Sequence, residues 1–576
     1  MALVALLAGL AAWAGPAAAH AQLETSDPAP GTVLPVPPHQ VVLRFSEPVT
    51  ADPGALRVLA PSGRRVDAGG AHHPGADAGA VAVALDAGLG RGTYIVAWRV
   101  VSADSHPVHG AFTFSVGTAA GAKAAAAEAD TIAARSGSPV VGVAVGLVRF
   151  AAFAALLVLV GLAVLVRLAW PGGGRSRRVR RLLAGSWAVL AATTVLAVLL
   201  QGPYASALPL ADALRPSLVS GVLHTRLGQV AVVRAALLLL AVPVLLAVAD
   251  RSGRRGGGSR RPRGGGLTLL VCLVGLALLA TAGLAGHAAT GTSPAVGLVV
   301  DVAHLAAASL WIGGLVLLAT FLVRTSAVGA SELPADPAGV AGRVSSLAFA
   351  GVVVVVASGV AQSLRQVGSV YGLLHTDFGR TLLVKVGLVV LLVVLGGLSR
   401  RILHRSRGSA PAASDPVGGS PVADGGTTPL LGAGRLGRTV VAELVVVAAV
   451  LAATAVLVDT VPARQAVTAP FSTSWSTLGV QVDATVAPAR VGPGNVLHIT
   501  VLSPAGTPRA VPEVDAALSL PSASLGPIPV PLRLVGPGHY TADRLDLPAA
   551  GTWVLAVTVR TTAIDEDVVR ASFGVH

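Results

Sequence analysis

The sequence predicts a multidomain protein with an N-terminal all-β Greek-key barrel or sandwich, an α-helical transmembrane bundle of eight spans, and a C-terminal all-β sandwich. The chain has 576 residues, of which 53% are hydrophobic and 12% are charged, and the apolar residues come in long blocks. An average soluble protein is about one quarter charged. Polar stretches flank the blocks and alternate apolar and polar residues with the period of two that β-strands have.

The first residues have the pattern of a cleaved signal peptide, which we assign to residues 1–19. An apolar run over residues 3–13 is followed by small residues that fit a signal-peptidase site. The run is too short to cross a bilayer. Cleavage after Ala19 would make His20 the N-terminal residue of the mature chain.

Residues 20–118 are predicted to form a β domain. Apolar residues alternate with other residues over 41–45 and 112–116, and the stretch 93–101 is rich in β-branched and aromatic residues. Short strands separated by turn signals over about a hundred residues are typical of an antiparallel sandwich or barrel.

This domain contains residues that could hold a metal ion. A histidine at position 20 of the mature chain would offer both its α-amine and its ring Nδ1 to one ion. Asp104 and His106 are two residues apart, so on an extended strand they share a face. Three nitrogens and one oxygen in a plane suit Cu(II), whereas Cu(I) favours soft sulfur ligands. The chain has one methionine, Met1, and one cysteine, Cys272.

The first domain resembles the copper-binding CopC family. Four sequence blocks in the order of that family span the whole domain. The resemblance implies a β-barrel with a Cu(II) site made by the N-terminal histidine, here His20, and by the Asp104-Ser-His106-Pro motif. Because methionine is absent after position 1, the predicted cofactor is Cu(II) alone. The blocks cover residues 20–23, 26–31, 43–48 and 94–108.

A linker over 119–138 leads to a predicted membrane domain over 139–460. Eight apolar stretches each hold about 20 residues or more, the length that a bilayer needs. The predicted spans cover residues 140–168, 183–203, 227–249, 267–287, 296–323, 344–364, 380–399 and 439–460.

The distribution of arginine predicts the orientation of the spans. The loops after the first, third, fifth and seventh spans carry most of the arginines near the membrane, as in the stretch from Arg251 to Arg263. Because cytoplasmic loops are enriched in Lys and Arg, both ends of the chain are predicted on the extracytoplasmic side of the plasma (inner) membrane. The formal charge of +14 is then explained without a nucleic-acid partner.

Ionisable residues within the spans indicate a second metal site. Asp301 and His304 are three residues apart on the fifth span and therefore share a face. His287 ends the predicted fourth span at the same level. Two imidazoles and a carboxylate would form a shallow metal site at the outer mouth. Alternatively, Asp301 neutralises one of the cations within the spans. The other ionisable residues in the spans are Arg149, Arg234, Lys385 and Glu443.

This part of the chain resembles the CopD family of membrane proteins. The resemblance rests on residues 283–288, 301–314 and 377–385, and it covers the fourth to seventh spans. CopD proteins are associated with copper uptake across the inner membrane beside CopC, so the chain resembles a CopC–CopD fusion. The resemblance implies His287, Asp301 and His304 as candidate copper ligands.

Residues 465–576 return to β patterning, with alternation over 480–486, 497–501 and 553–559. The turn-rich segments between them predict a second small sandwich. Residues 536–543, followed by 551–554, resemble the YtkA-like domain found in some copper-related proteins. The histidines of this region are predicted to be surface residues, namely His498, His539 and His576.

These features predict a non-enzymatic membrane protein that captures Cu(II) outside the membrane and passes it to the membrane domain. Its role is then copper import and copper homeostasis or resistance. Its expected partners are copper ion, the lipid bilayer, and copper chaperones or cuproenzymes, and no phosphate-binding loop for ATP is present. Two alternatives stay open: a copper-dependent oxidase of the histidine-brace type, and an electron-transfer protein whose span histidines hold haem. The oligomeric state stays open as well.

Overall fold

The structure is a computed structural model. It describes two strand-rich regions and the eight long helices between them. The residues that the structure describes are 21, 23–28, 30–51, 54–75, 77–102, 107–117, 125, 128–129, 131–132, 138–249, 264–286, 293–322, 334, 336–408, 433–466, 471–487, 489–504 and 508–575.

The N-terminal region is a β sandwich of two sheets, as predicted. One sheet has the strand order β1-β3-β7-β6, and the other has the order β2-β9-β8-β4, with β5 paired to β8. Neighbouring strands are antiparallel except β2 and β9. The strands are β1 (Leu23–Asp27), β2 (Val33–Leu34), β3 (Gln40–Phe45), β4 (Val49–Thr50), β5 (Leu56–Leu59), β6 (Asp67–His72), β7 (Ala80–Leu85), β8 (Gly92–Ser102) and β9 (Pro107–Val116).

The predicted alternation places apolar side chains in the core of this sandwich. Val41, Leu43 and Phe45 of β3 are all buried, and polar residues of the same strand face outward. Phe45 packs edge to face on Trp98, with ring centroids 5.2 Å apart. Such aromatic pairs add about 0.5–1.5 kcal/mol beyond the area that they bury. The period-two pattern therefore predicted both the strand and its inward face.

Eight helices of the central region are long and apolar enough to cross a membrane, among the residues described. We name them span 1 to span 8. Most are longer than the predicted apolar stretches, because polar residues continue the helix past the hydrophobic core of each span. The bounds are span 1 (Pro139–Leu168), span 2 (Arg177–Ser206), span 3 (Arg226–Ala249), span 4 (Gly264–Leu284), span 5 (Pro294–Leu322), span 6 (Pro337–Val367), span 7 (Asp377–Gly408) and span 8 (Ala433–Asp459).

Span 4 ends earlier than the sequence indicated. The apolar stretch was expected to continue to residue 287, but the helix ends at Leu284. Short helices connect span 2 to span 3 and span 6 to span 7 on the predicted outer side, at Pro216–His224 and Val370–His375, and a further short helix, Ala463–Ala466, follows span 8. His287 itself lies outside the described residues.

Span 1 lies at the centre of the bundle and crosses span 5 at very short range. A Cβ atom on Gly161 of span 1 would lie 1.8 Å from the carbonyl oxygen of Ser309 in span 5. Gly313 of span 5 approaches the backbone of Gly161 from the other side. Small residues allow helix backbones in membranes to approach and pack closely. This crossing fixes the position of span 5, which carries both Asp301 and His304.

The C-terminal region consists of two further antiparallel sheets, with orders β10-β11-β12-β16-β15 and β14-β13-β17-β18. They pack around the fully buried Trp553, whose indole N–H donates to the carbonyl of Ala549. The strands are β10 (Phe471–Thr477), β11 (Val480–Ala487), β12 (Gly492–Leu502), β13 (Glu513–Leu520), β14 (Leu525–Val530), β15 (Arg533–Gly536), β16 (His539–Leu547), β17 (Gly551–Arg560) and β18 (Glu566–Val575).

Candidate metal centre

A cavity of about 540 Å³ lies within the helical bundle and has both predicted residues of span 5 in its wall. Its lining comes from spans 1, 4, 5, 6, 7 and 8, and it extends to the helix ends at Gly286 and Gln366. Most of the wall is apolar. Polar side chains that line it in the outer half of the spans, by the predicted topology, include Asp301, His304, Gln362, Lys385 and Thr454, with Arg365 and Gln366 at the outer end of span 6.

The hydrogen bonds of Ser358 assign the tautomer of His304. The Ser358 hydroxyl donates to the carbonyl oxygen of Val354, one turn earlier in span 6, at 2.5 Å. Its single hydrogen is then used, so its oxygen accepts from His304 Nδ1–H, 3.0 Å away. In the neutral ring the lone pair is then on Nε2, which is the form of imidazole that ligates a metal ion.

Asp301 is held by residues of three other spans. Its Oδ1 accepts from the Gln362 side-chain amide at 3.3 Å, and its charge interacts with that of Lys385 in span 7. Gly283 of span 4 leaves room for the carboxylate, because a Cβ there would lie 2.7 Å from Asp301 Oδ2. The carboxylate is therefore packed in one place rather than free to sample several.

The other buried charges of the spans have partners elsewhere. Arg149 forms an ion pair with Asp459 at the end of span 8. Arg234 donates to the Thr281 hydroxyl at 2.8 Å. Of the three cations weighed against Asp301, only Lys385 interacts with it electrostatically.

On the predicted cytoplasmic side, Glu443 of span 8 accepts a hydrogen bond from the Ser399 hydroxyl of span 7 at 2.5 Å. Glu443 is almost completely buried. It lies outside the cavity lining and forms a separate polar contact between the last two spans.

The structure brings together Asp301 and His304, and it leaves four predicted ligands undescribed. His20, Asp104, His106 and His287 lie outside the described residues. Within the described ranges, no three His, Cys, Asp or Glu side chains converge as a metal site. Sequence reasoning missed Ser358 and Gln362, although their spacing of four residues in an apolar helix was a signal for one polar face.

The strands on either side of residues 103–106 are paired to their ends. β8 and β9 form an antiparallel hairpin whose last matched pair is Val101 with Pro107. At the N-terminal end of the chain segment that forms this domain, Ala21 is 4% exposed and belongs to the sandwich core. The residues that flank the predicted copper ligands are therefore fixed in the domain.

The first β domain contacts the membrane bundle through Arg99 of β8. Its guanidinium donates to the carbonyl oxygens of Tyr204, at 3.0 Å, and Ala205, both in the last turn of span 2. The last four carbonyls of a helix lack partners within the helix and carry its negative dipole end. A cation from the β domain satisfies two of them and ties the domain to the end of span 2.

A β sandwich joined to this helical bundle defines a class of membrane proteins that combine a CopC domain with a CopD domain. The CopC domain family model matches residues 23–117. The model described as copper resistance protein D-like, N-terminal domain, matches residues 140–298, and copper resistance protein D matches 338–457. Asp301 and His304 fall between the last two matches. All three end before the C-terminal sheets, so the YtkA-like resemblance stays a prediction.

A curated relative establishes the family. The chain is 31% identical over 394 residues to the copper transport protein CutJ of Bacillus subtilis. The aligned region covers 68% of this chain and 69% of CutJ. The chain therefore belongs to the CopC–CopD family of copper transport and copper resistance proteins, which is not a family of enzymes. The match to the first spans is more specific than sequence reasoning indicated.

Further similarities concern the first domain alone. Protein YobA of Escherichia coli K12 is 34% identical over 98 residues, which cover 17% of this chain and 79% of YobA. CopC from Methylosinus trichosporium OB3b is 28% identical, covering 17% of this chain and 93% of that structure, with a TM-score of 0.16. PcoC, a methionine-rich copper resistance protein from E. coli, is 33% identical, covering 17% and 99%, with a TM-score of 0.14.

Proposed function

We propose that the protein captures Cu(II) outside the membrane at His20, Asp104 and His106 and passes it to the bundle for import and copper homeostasis. The cavity is the receiving site, with His304 and Asp301 as its ligands and His287 as a third. The observation that carries the proposal is the His304 ring, which is held at Nδ1 by Ser358 and lines the cavity together with the carboxylate of Asp301.

The capture site is supported by the residues around it. Ala21 is buried in the sandwich core, so a mature N-terminus at His20 would be anchored on the domain. The hairpin of β8 and β9 brackets Asp104 and His106. PcoC is described as methionine-rich, whereas this chain has one methionine. Because Cu(I) favours soft sulfur ligands, the scarcity of methionine favours Cu(II) as the bound form.

The contact of Arg99 supports a hand-off between the two parts. Arg99 lies on the same strand that leads to Asp104 and His106, and it contacts the end of span 2. That end is extracytoplasmic in the orientation predicted from arginine. A tethered domain that docks at the membrane delivers its ion at a high effective concentration.

Lys385 gives the cavity the properties of a transit site. Its charge interacts with that of Asp301, so a copper ion at this carboxylate competes with Lys385 for it. Conduction requires binding that is strong enough for entry and weak enough for exit. The Asp301 carboxylate attracts the ion, and the nearby Lys385 weakens that attraction, so the ion can both enter and leave.

Copper accumulation in cells at limiting external copper tests the proposal. The variants His304→Gln and His106→Gln are each expected to accumulate at least about tenfold less copper than wild type, because each removes an imidazole ligand. The matched control is His224→Gln, an exposed histidine on the short helix before span 3.

Equal membrane levels of all variants are verified by immunoblot. Wild-type accumulation in both His304→Gln and His106→Gln would refute the hand-off. A loss in His106→Gln alone would leave capture in place and remove His304 from the path.

A further inference from the structure

Two histidines of the C-terminal domain, predicted as separate surface residues, lie side by side on one sheet. His498 of β12 pairs in register with Thr541 of β16, so His539 of β16 is its diagonal neighbour on the same face. The rings are roughly parallel, with centroids 5.7 Å apart and an angle of 27° between planes. His498 is exposed and His539 half-buried, so the pair is open to solvent on one side.

The distance between the two nearest ring nitrogens equals the distance between two nitrogen ligands of one tetrahedral metal ion. His498 Nδ1 and His539 Nε2 are 3.4 Å apart. Metal–imidazole bonds of about 2.0–2.1 Å at a tetrahedral angle place two nitrogens about 3.3–3.4 Å apart. The geometry fits two ligands of one ion.

The Asp543 carboxylate forms an ion pair with Arg533 at 2.7 Å and also interacts electrostatically with His498. Neutral imidazole is the form that ligates a metal ion.

We propose that His498 and His539 bind one divalent first-row transition-metal ion on the outer face of the C-terminal domain. Water completes the coordination, since no third His, Cys, Asp or Glu joins the pair among the described residues. Nitrogen ligands bind Cu(II) more tightly than the other divalent ions of the row, so Cu(II) is the preferred occupant. This site is separate from His20, Asp104 and His106, and it does not depend on their function.

Metal counting on the full chain tests the site. The purified protein in detergent is stripped with chelator and dialysed against Cu(II) or Zn(II), and bound metal per chain is measured. His498→Gln, His539→Gln and the double variant are each expected to lose the same single equivalent, because one shared ion needs both rings. His39→Gln, an exposed histidine of the first domain, is the control and keeps the wild-type count.

A rescue variant separates ligation from folding. His539→Cys retains a metal ligand, so it is expected to keep the equivalent that His539→Gln loses. Wild-type counts in both glutamine variants would overturn the proposal, and so would losses that add up in the double variant. His106→Gln distinguishes this site from the capture site. If it alone lowers the count, the His498–His539 site is refuted while capture stands; if only the pair variants do, capture fails.

Discussion

At the scale of single residues, the orientation of His304 in the cavity depends on the hydroxyl group of Ser358. Ser358 gives its hydrogen to the backbone of its own helix, and this leaves its oxygen to accept from His304. Partners of this kind hold a ligating imidazole in one tautomer and one orientation, and their loss typically costs ten- to hundredfold in affinity or activity, as an order of magnitude.

Ser358→Ala is therefore expected to lower copper accumulation about tenfold or more, because His304 loses the acceptor for Nδ1–H and its lone pair no longer faces a fixed direction. The control is Ser363→Ala in the same span, whose hydroxyl donates to the carbonyl of Gly359 at 2.8 Å. Cellular copper measured against membrane protein level gives the result. If the two alanine variants accumulate equally, the tautomer assignment is wrong.

At the scale of elements, local patterns predicted the eight long helices and several of the strands. Alternation over residues 41–45 predicted β3, and the length of the apolar stretches predicted all eight spans. Both predictions are possible because burial on one face, or in a bilayer, determines the pattern of apolar residues that are close in sequence. Span 7 continues beyond its apolar stretch to Gly408. Hydropathy does not predict where such a polar extension stops, so the observed helix end differs from the predicted one.

The partners within the candidate site were not predictable from pattern. Asp301 and His304 were found by their rarity in a span, but Ser358 is 54 residues from His304 and Gln362 is 61 residues from Asp301. The periodicity of apolar residues predicts that one face of a helix is buried, but it does not predict which other helix packs against that face. For the same reason, the ion pair between Arg149 and Asp459 could not be predicted before the packing of the bundle was known.

The crossing of spans 1 and 5 yields a prediction at this scale. Gly161→Ala is expected to destabilise the bundle by about 1–3 kcal/mol, because the new methyl group would overlap the backbone of Ser309. Gly146→Ala in the same helix is the control, since a Cβ there meets nothing within 4 Å. Thermal unfolding of purified protein in detergent measures the difference. Equal unfolding temperatures for the two variants would contradict the close crossing.

At the scale of the whole molecule, three features follow one another along the proposed route of copper. The proposed capture site belongs to a sandwich that contacts the end of span 2, and a cavity with an imidazole and a carboxylate lies in the outer half of the bundle by the predicted topology. The proposed order requires that the sandwich stay docked while the ion moves, so the docking contact is part of the proposed mechanism and is open to test.

Arg99→Ala removes that contact. Hydrogen bonds from a charged group contribute about 1.5–3 kcal/mol, so the equilibrium constant for docking is expected to fall by about tenfold or more. Arg57→Ala is the control, because Arg57 is exposed and donates to the carbonyl of Gly54 within its own domain. Copper accumulation is measured across external copper concentrations.

Accumulation by Arg99→Ala is expected to fall at limiting copper and to approach wild type at high copper, where free ions reach the cavity without delivery. A deficit that persists at all concentrations would instead indicate damage to the bundle, since span 2 would have lost the partner of its last carbonyls. Wild-type accumulation at limiting copper would show that docking through Arg99 has no part in delivery. The concentration dependence therefore separates the delivery role of Arg99 from a structural one.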